Sequence, residues 1–331
     1  RTRPSHAIAD VSRWLLRRSL AALLTAVVAV VVLIVLLHLL PGDPLFAILG
    51  DRPADPAVVA ALRERYTTGI PESIAAFFRG LLHGDLGVSL SENRPVLAVI
   101  GERLPWTLLL SGLTLLIDFT LGLALGVWSA LHPDSIRARL VGAATLVGYT
   151  LPSFVVALAL VWIFAVKLAW LPVGGAGDVL LPADAPTLTV LLDHLKHLVL
   201  PLAAMVIATL AVPLRQQRSA SLDAAAQPWV LAARARGVSP GRLAWRHCWR
   251  PALTPVVTLL GLWLPMLVAG GVFVEVVFQW PGIGLLLAHA TAARDVPLVI
   301  GAGLILIVAV QLGSLIADLL YRVVDPVQRT T

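Results

Sequence analysis

Cysteine, methionine, lysine and charge in general are scarce in this chain of 331 residues. The single cysteine, Cys248, excludes an internal disulfide framework and any metal cluster built from several cysteines of one chain. The two lysines, Lys167 and Lys196, each follow a residue other than glycine. A phosphate-cradling loop of the form G-x-x-x-x-G-K-[ST] is therefore missing, since there the lysine that reaches the phosphates follows a glycine. The H-E-x-x-H signature of zinc proteases is missing as well. Charged residues make up 13% of the chain and hydrophobic ones 58%. A soluble domain carries about a quarter of its residues charged, so this is the composition of a membrane protein.

What is present is a series of long apolar runs. Six are long enough to cross a hydrocarbon core of about 30 Å, which takes roughly 20 helical residues. They lie near Leu20–Leu40, Leu104–Leu131, Leu140–Val166, Leu198–Leu214, Ala252–Val274 and Val296–Tyr321. The first follows Arg17 and Arg18 as a secretory signal does, but it is too long for a signal core and no small-x-small cleavage site precedes "LLPGDP". It reads as a retained anchor.

Six spans put both termini on one side, and the basic residues choose that side. Segments 1–19, 132–139, 215–251 and 322–331 carry 16 Lys or Arg in 74 residues, against 9 in the 115 residues of the opposite loops. The basic side is expected to be cytoplasmic. The opposite side holds 13 of the 19 acidic residues, eight of them in the long loop 41–103. That loop is too long for a simple connection. Its pattern suggests short helices at Pro56–Tyr66 and Pro71–His83, which can form a docking surface or merely a lid.

The cytoplasmic segment 222–250 holds "RARGVSPGRLAWRHCWR", with five arginines between 234 and 250. Its local signals describe two helices and a corner. An alanine-rich run ends near Arg236, Gly237 suits a left-handed C′ position, and Ser239-Pro240 supplies an N-cap followed by proline at N1. In the second helix Arg242, Arg246 and Arg250 recur on one face, and Trp245 and Trp249 on its neighbour. Such an element lies at the membrane surface and offers one face to a partner. Two plainer readings exist: the arginines fix topology and hold anionic lipid head groups, or the segment is a helix-turn-helix for DNA. Spans only a few residues away on both sides speak against nucleic acid.

The stretch "WVLAARARGVSPGRLAWRHCWRPALTPVV" resembles the coupling loop of ABC importer permeases of the dipeptide, oligopeptide and nickel group. So, in order, do "LLPGDPL" at 39–45, "HGDLGVSL" at 83–90, "LPSF" at 151–154, "HLVLP" at 197–201, "GGVFVEVVFQWPGIG" at 270–284 and "DLLYRVVDP" at 318–326. The likeness runs from about Trp14 to Arg329. It implies that the cytoplasmic helix sits in a cleft of an ATPase subunit and passes on nucleotide-driven closure. On this chain Ala232, Ala233 and Gly237 match the small positions of the Glu-Ala-Ala-x-x-x-Gly core. The acidic residue that usually opens that core is Leu231 here, which shifts the expected ATPase contacts to Arg234, Arg236, Ser239, Pro240 and Arg242. The likeness further implies an outer gate region at Trp280, Pro281 and Gly282. An aromatic belt at the membrane interface accounts for Trp280 equally well.

Within the six spans the only acids are Asp118 and Asp318. An ionised Asp118 near mid-span costs roughly 2.5 to 3.5 kcal/mol, and the twelve Leu, Ile, Val and Phe residues between Leu108 and Val127 offset it by roughly 4 to 7. Insertion survives, so an intramembrane protease is not required. Asp118 reads as a structural hydrogen-bonding residue, with pathway lining as the alternative. His194 and His197, three apart, can share a helical face, but only Asp193 lies at ligand spacing and no metal site is expected. Prolines 105, 152, 201, 213, 255 and 265 mark places where spans begin or bend.

The sequence thus describes an all-α membrane protein with the fold of a type I ABC importer permease. Residues 1–19 form a cytoplasmic N-terminus, 20–40 the first span, 41–103 an extracytoplasmic docking region, 104–321 the permease core and 322–331 a cytoplasmic tail. The expected cargo is short peptides, with nickel or a metal chelate as the alternative. The resemblance implies a second homologous permease subunit, two ATPase subunits that hold ATP and Mg, and an extracytoplasmic substrate-binding protein, all in a bacterial inner membrane. No cofactor is expected on this chain itself, and no enzymatic activity. From other classes, an energy-independent channel and a membrane enzyme are the rivals.

Overall fold

The computed structural model describes residues 4–39, 69–182, 184–243, 249, 259, 263 and 271–324. All regular structure among them is helical, with one isolated antiparallel bridge, Val88 to Pro95. The helices are α1 (Pro4–Leu39), α2 (Ile70–Leu82), α3 (Val96–Leu131), α4 (Ile136–Thr150), α5 (Ser153–Leu160) running into a π-helical stretch (Val161–Lys167), α6 (Thr187–Thr209), α7 (Ala211–Ala225), α8 (Pro228–Ala235), α9 (Pro240–Arg242), α10 (Val272–Val277), α11 (Ile283–Ala293) and α12 (Val296–Val324). The chain forms two compact units, Arg1–Pro105 with Ile283–Leu315, and Trp106–Gly282 with Ile316–Thr331.

Among the described residues, four helices are long and apolar enough to cross a membrane: Leu16–Leu39 of α1, α3, α6 and Val296–Ile316 of α12. A fifth arises if α4 and the α5–π segment form one span, although they meet at 107°. The sequence pattern suggests a single span at Leu140–Val166, with Pro152 among the prolines where spans begin or bend. The break falls at Leu151-Pro152, both extended, because a residue before proline is driven out of the helical region and proline cannot donate to the preceding turn. Pro105 and Pro201, by contrast, sit inside continuous helices. The expected span Ala252–Val274 falls largely outside the described residues, as do Pro255, Pro265, Trp245, Arg246, Arg250, "LLPGDPL" and the helix expected at Pro56–Tyr66. The helix expected at Pro71–His83 is present as α2, with Pro71 in its first turn and His83 as its C-cap.

In the first unit, Val30 and Ile34 of α1 pack with Val96, Val99 and Ile100 of α3 and with Leu298, Val299 and Ala302 of α12. Gly301 and Gly303 make this possible: a β-carbon on Gly301 would collide with Val96, and one on Gly303 would stand 2.6 Å from Leu33. The other face of α1 leaves Leu16, Leu24 and Leu39 more than 60% exposed, the surface that lipid or another membrane subunit covers. Residues 84–95 form a hairpin fastened to the start of α12. Asp295, fully buried, accepts hydrogen bonds on Oδ2 from Ser89 Oγ (2.5 Å), Ser91 N (2.9 Å) and Ser91 Oγ (2.7 Å), and on Oδ1 from Leu298 N (3.2 Å). One carboxylate thereby caps a helix and holds a loop.

The second unit centres on Leu110, Phe119, Val156, Ala157, Leu200, Ala204, Met205, Val274, Phe278 and Trp280. Here α3 runs parallel to the line formed by α6 and α7, in a fixed register: Asp118 meets Thr209, Gly122 meets Pro213 and Leu214, and Gly126 meets Leu214 and Gln217. The four-residue steps match the ridge spacing of a helix, and glycine at two of them brings the backbones close. On α4, Gly148 receives Ile207 of α6 in the same way, its missing β-carbon being 2.6 Å from that carbonyl oxygen.

Candidate coupling and pathway sites

The arginine-bearing segment begins as a continuation of α7. That helix closes at Ala225, Gln227 is extended, and Pro228 opens α8 at a position where its missing N–H costs nothing. Val230 and Ala233 of α8 turn inward onto Ala224 and Leu243, with Val238 packed beside them. Trp229 and Leu231 are each 51% exposed, and Ala232, Arg234 and Arg236 are exposed too. α8 therefore carries one thin buried stripe and a broad open face that mixes apolar and cationic groups.

The corner that follows is closed by a Schellman motif. Val238 N donates to Ala233 O at 3.3 Å and Gly237 N donates to Arg234 O at 3.0 Å, while Gly237 takes φ +79°. A side chain at 237 would meet no neighbour, so glycine is there for its backbone alone. The chain re-enters a helix at Pro240, and Leu243 N donates to Ser239 O at 2.9 Å, which makes Ser239 the first acceptor of the new turn. Ser239 and Arg242 are exposed. The expected two helices and corner are thus present as far as Leu243. Ala233, one of the expected contact positions, is 1% exposed and serves the inner face.

A second constellation surrounds the motif "VFVEVVFQWPGIG". Trp280 is fully buried, its indole Nε1 donates to Trp106 O at 3.1 Å, and the two rings meet edge to face at 5.3 Å. This corrects the reading of Trp280 as an interfacial belt residue. The hydrogen-bond partner it needs lies 174 positions earlier in the chain, out of reach of any local pattern. Pro281 is half-buried and Gly282 buried, with Gly282 seated on the carboxylate of Glu275. Glu275 is 1% exposed and accepts a 2.8 Å hydrogen bond from Thr107 Oγ1. Sequence reasoning passed over Glu275 and Asp295. Their signal was a lone acid among apolar residues in "VFVEVVF", and an acid one residue before a helix in "ARDVPLV".

Beside this core the backbone of residues 174–175 docks on the end of α10, with Gly175 N donating to Phe278 O at 2.7 Å. A cavity of about 490 Å³ opens between loop residues 172–179 and the Asp193, Lys196 and His197 positions of α6. His194 and His197 each have a hydrogen-bonding place here. His194 Nδ1 meets the Ala176 carbonyl, and His197 Nδ1 lies 2.9 Å from Asp193 O and 3.4 Å from its Oδ1. Asp193 Oδ2 accepts from Asp178 N at 2.7 Å, tying the loop to the helix. Asp118 is fully buried, with its Oδ2 2.6 Å from Thr209 Oγ1.

Residues 122–330 match the family described as binding-protein-dependent transport system inner membrane component. The chain is 35% identical over 304 residues to the di/tripeptide transport system permease protein DppB of Pseudomonas aeruginosa, covering 88% of this chain and 90% of the relative. It is 31% identical over 323 residues to the oligopeptide transport system permease protein AppB of Bacillus subtilis, covering 96% and 99%. It is also 31% identical over 318 residues to the glutathione transport system permease protein GsiC of Salmonella typhimurium, covering 96% and 98%. These likenesses extend over nearly the full length of both partners and agree with the apolar helices, so the chain belongs to the binding-protein-dependent transport family as a multi-pass inner-membrane permease.

Proposed function

We propose that this chain is one of two permease subunits of an ATP-driven importer of short peptides. It spans the membrane six times with both termini in the cytoplasm, and forms half of the pathway. Two ATPase subunits bind beneath it and hold the ATP and Mg, and a soluble or lipid-anchored receptor delivers cargo from the other side. The chain itself performs no covalent chemistry. The observation that carries the reading is the corner at Gly237: a short helix on the arginine-rich side of the chain, closed by a left-handed glycine and exposing Trp229, Leu231, Arg234 and Arg236. A loop with no partner would not leave two large apolar residues open beside its arginines, and an ATPase cleft is the kind of partner that covers both. Arg242 and Ser239, on the far side of the corner, are exposed as well. The peptide reading is supported by the relatives, whose names refer to di/tripeptides, oligopeptides and glutathione. Nickel or a metal chelate is the alternative cargo.

Gly237→Val tests the coupling role. The new side chain has room, but a β-branched residue at φ +79° is strained by about 1–2 kcal/mol or more, which opens the corner. In proteoliposomes containing the whole complex, ATP hydrolysis is expected to continue while peptide uptake falls, with unchanged insertion of the chain. Uptake at the wild-type level would remove the coupling assignment.

A further inference from the structure

Asp118 stands midway along α3 with no exposed surface, and its Oδ1 has no hydrogen-bond partner among the described residues. Its Oδ2 lies 2.6 Å from Thr209 Oγ1, and the same hydroxyl lies 2.7 Å from Met205 O, one helical turn back on α6.

A hydroxyl has one proton to give and two lone pairs to receive with, whereas a carbonyl oxygen can only accept. Two hydrogen bonds from Thr209, one to Met205 O and one to a carboxylate, need two protons and the hydroxyl holds one. The count closes when Thr209 donates to Met205 O and accepts from a proton on Asp118 Oδ2. No cation is at hand along either helix to compensate an ionised acid. Asp118 is the only titratable residue of α3 beyond Arg103, and residues 198–214 contain none. The carbonyl oxygen of a neutral acid tolerates a missing partner far better than a carboxylate does.

The place of this contact in the fold gives it a consequence. Pro213 has no N–H, so the carbonyl of Thr209 loses its usual i+4 donor and the turn is weakened, although Leu210 between α6 and α7 keeps helical dihedrals (φ −54°, ψ −30°). The contact with Asp118 falls on the residue whose backbone is released. Below it, α7 runs straight to the turn that opens α8. Gly122 and Gly126 lock the seam one and two turns further on, so the clasp sits at the top of a closely packed parallel pair.

We propose that Asp118 is held as a neutral carboxylic acid that donates its proton to Thr209, and that this pair is a positioning clasp which fixes the weakened turn at Leu210 and with it the helix that carries the coupling segment. The consequence for transport rests on the importer reading above; the hydrogen bond itself does not. In the assembled transporter, Asp118→Asn keeps a neutral donor of the same shape and is expected to hold uptake per ATP hydrolysed within about twofold of wild type. Asp118→Ala and Thr209→Val each remove one half of the clasp, and each is expected to lower that ratio about tenfold, the effect of losing one buried hydrogen bond. Infrared difference spectra of wild type against Asp118→Asn at neutral pH are expected to contain the carbonyl stretch of a protonated carboxylic acid, shifted in D2O.

A carboxylate band in place of the acid band would overturn the proposal, and so would an Asn variant that falls as far as Ala. Thr209→Val at the wild-type ratio would also overturn it, and that variant remains available if Asp118→Ala fails to assemble. Should the acid band be present while no variant, wild type included, moves peptide, the importer reading fails and the neutral hydrogen bond stands.

Discussion

Gly237 and Gly126 are glycines for opposite reasons. At 237 the backbone has φ +79° and open space around the missing β-carbon; at 126 a β-carbon would stand 2.7 Å from both Leu214 O and Gln217 Cβ on the neighbouring helix. Alanine at 237 therefore strains one residue by about 1–2 kcal/mol and disturbs no neighbour. Isoleucine at 126 must push apart two packed backbones, which costs about 1–3 kcal/mol or more. In thermal unfolding of the detergent-solubilised complex, Gly126→Ile is expected to lower the midpoint further than Gly237→Ala, while Gly237→Ala lowers the uptake per ATP. Equal midpoints would mean that the seam between α3 and α7 is looser than described. The Gly237 role was legible in the sequence, because a helix end is written in the three or four residues around it. That of Gly126 was not, since the residues it accommodates lie some ninety positions away.

At the scale of elements, the same division separates what local pattern reveals from what it hides. α2 and the Ser239-Pro240 helix start appeared where their caps and prolines put them. Pro152 was among the six prolines marked as places where spans begin or bend, but nothing local set its 107° break apart from Pro105 and Pro201, which also follow leucine yet sit in unbroken helices. Whether a proline bends a membrane helix depends on what re-satisfies the freed carbonyl, which is a tertiary matter. Asp295 is the other hidden case, since Ser89 and Ser91 lie more than 200 positions from it. Asp295→Ala removes the acceptor for three donors of the hairpin and the cap of α12. Amide hydrogen exchange at Ser91 is expected to rise tenfold or more, in line with about 1–3 kcal/mol for a buried acceptor, while mid-helix amides of α12 stay protected. Unchanged exchange at Ser91 would show that the hairpin is held by its other contacts.

For the whole molecule, composition, apolar segments and basic loops pointed to a polytopic membrane protein before any contact was known, and only the resemblance of its motifs to ABC importer permeases made it a permease. The family follows from the likeness to known permeases, and the helices agree with it. The sequence has no G-x-x-x-x-G-K-[ST] motif, and the chain exposes an apolar and cationic helix face at the corner of its arginine segment. The central claim is that this face meets an ATPase. Native mass spectrometry of the complex captured on this chain in mild detergent, with the receptor still bound, tests it most directly. The expected result is an assembly of this chain with a second permease, two ATPase subunits and a receptor loaded with peptide. A chain that emerges alone, under conditions in which a known importer of this kind stays assembled, would contradict the claim and favour an energy-independent channel.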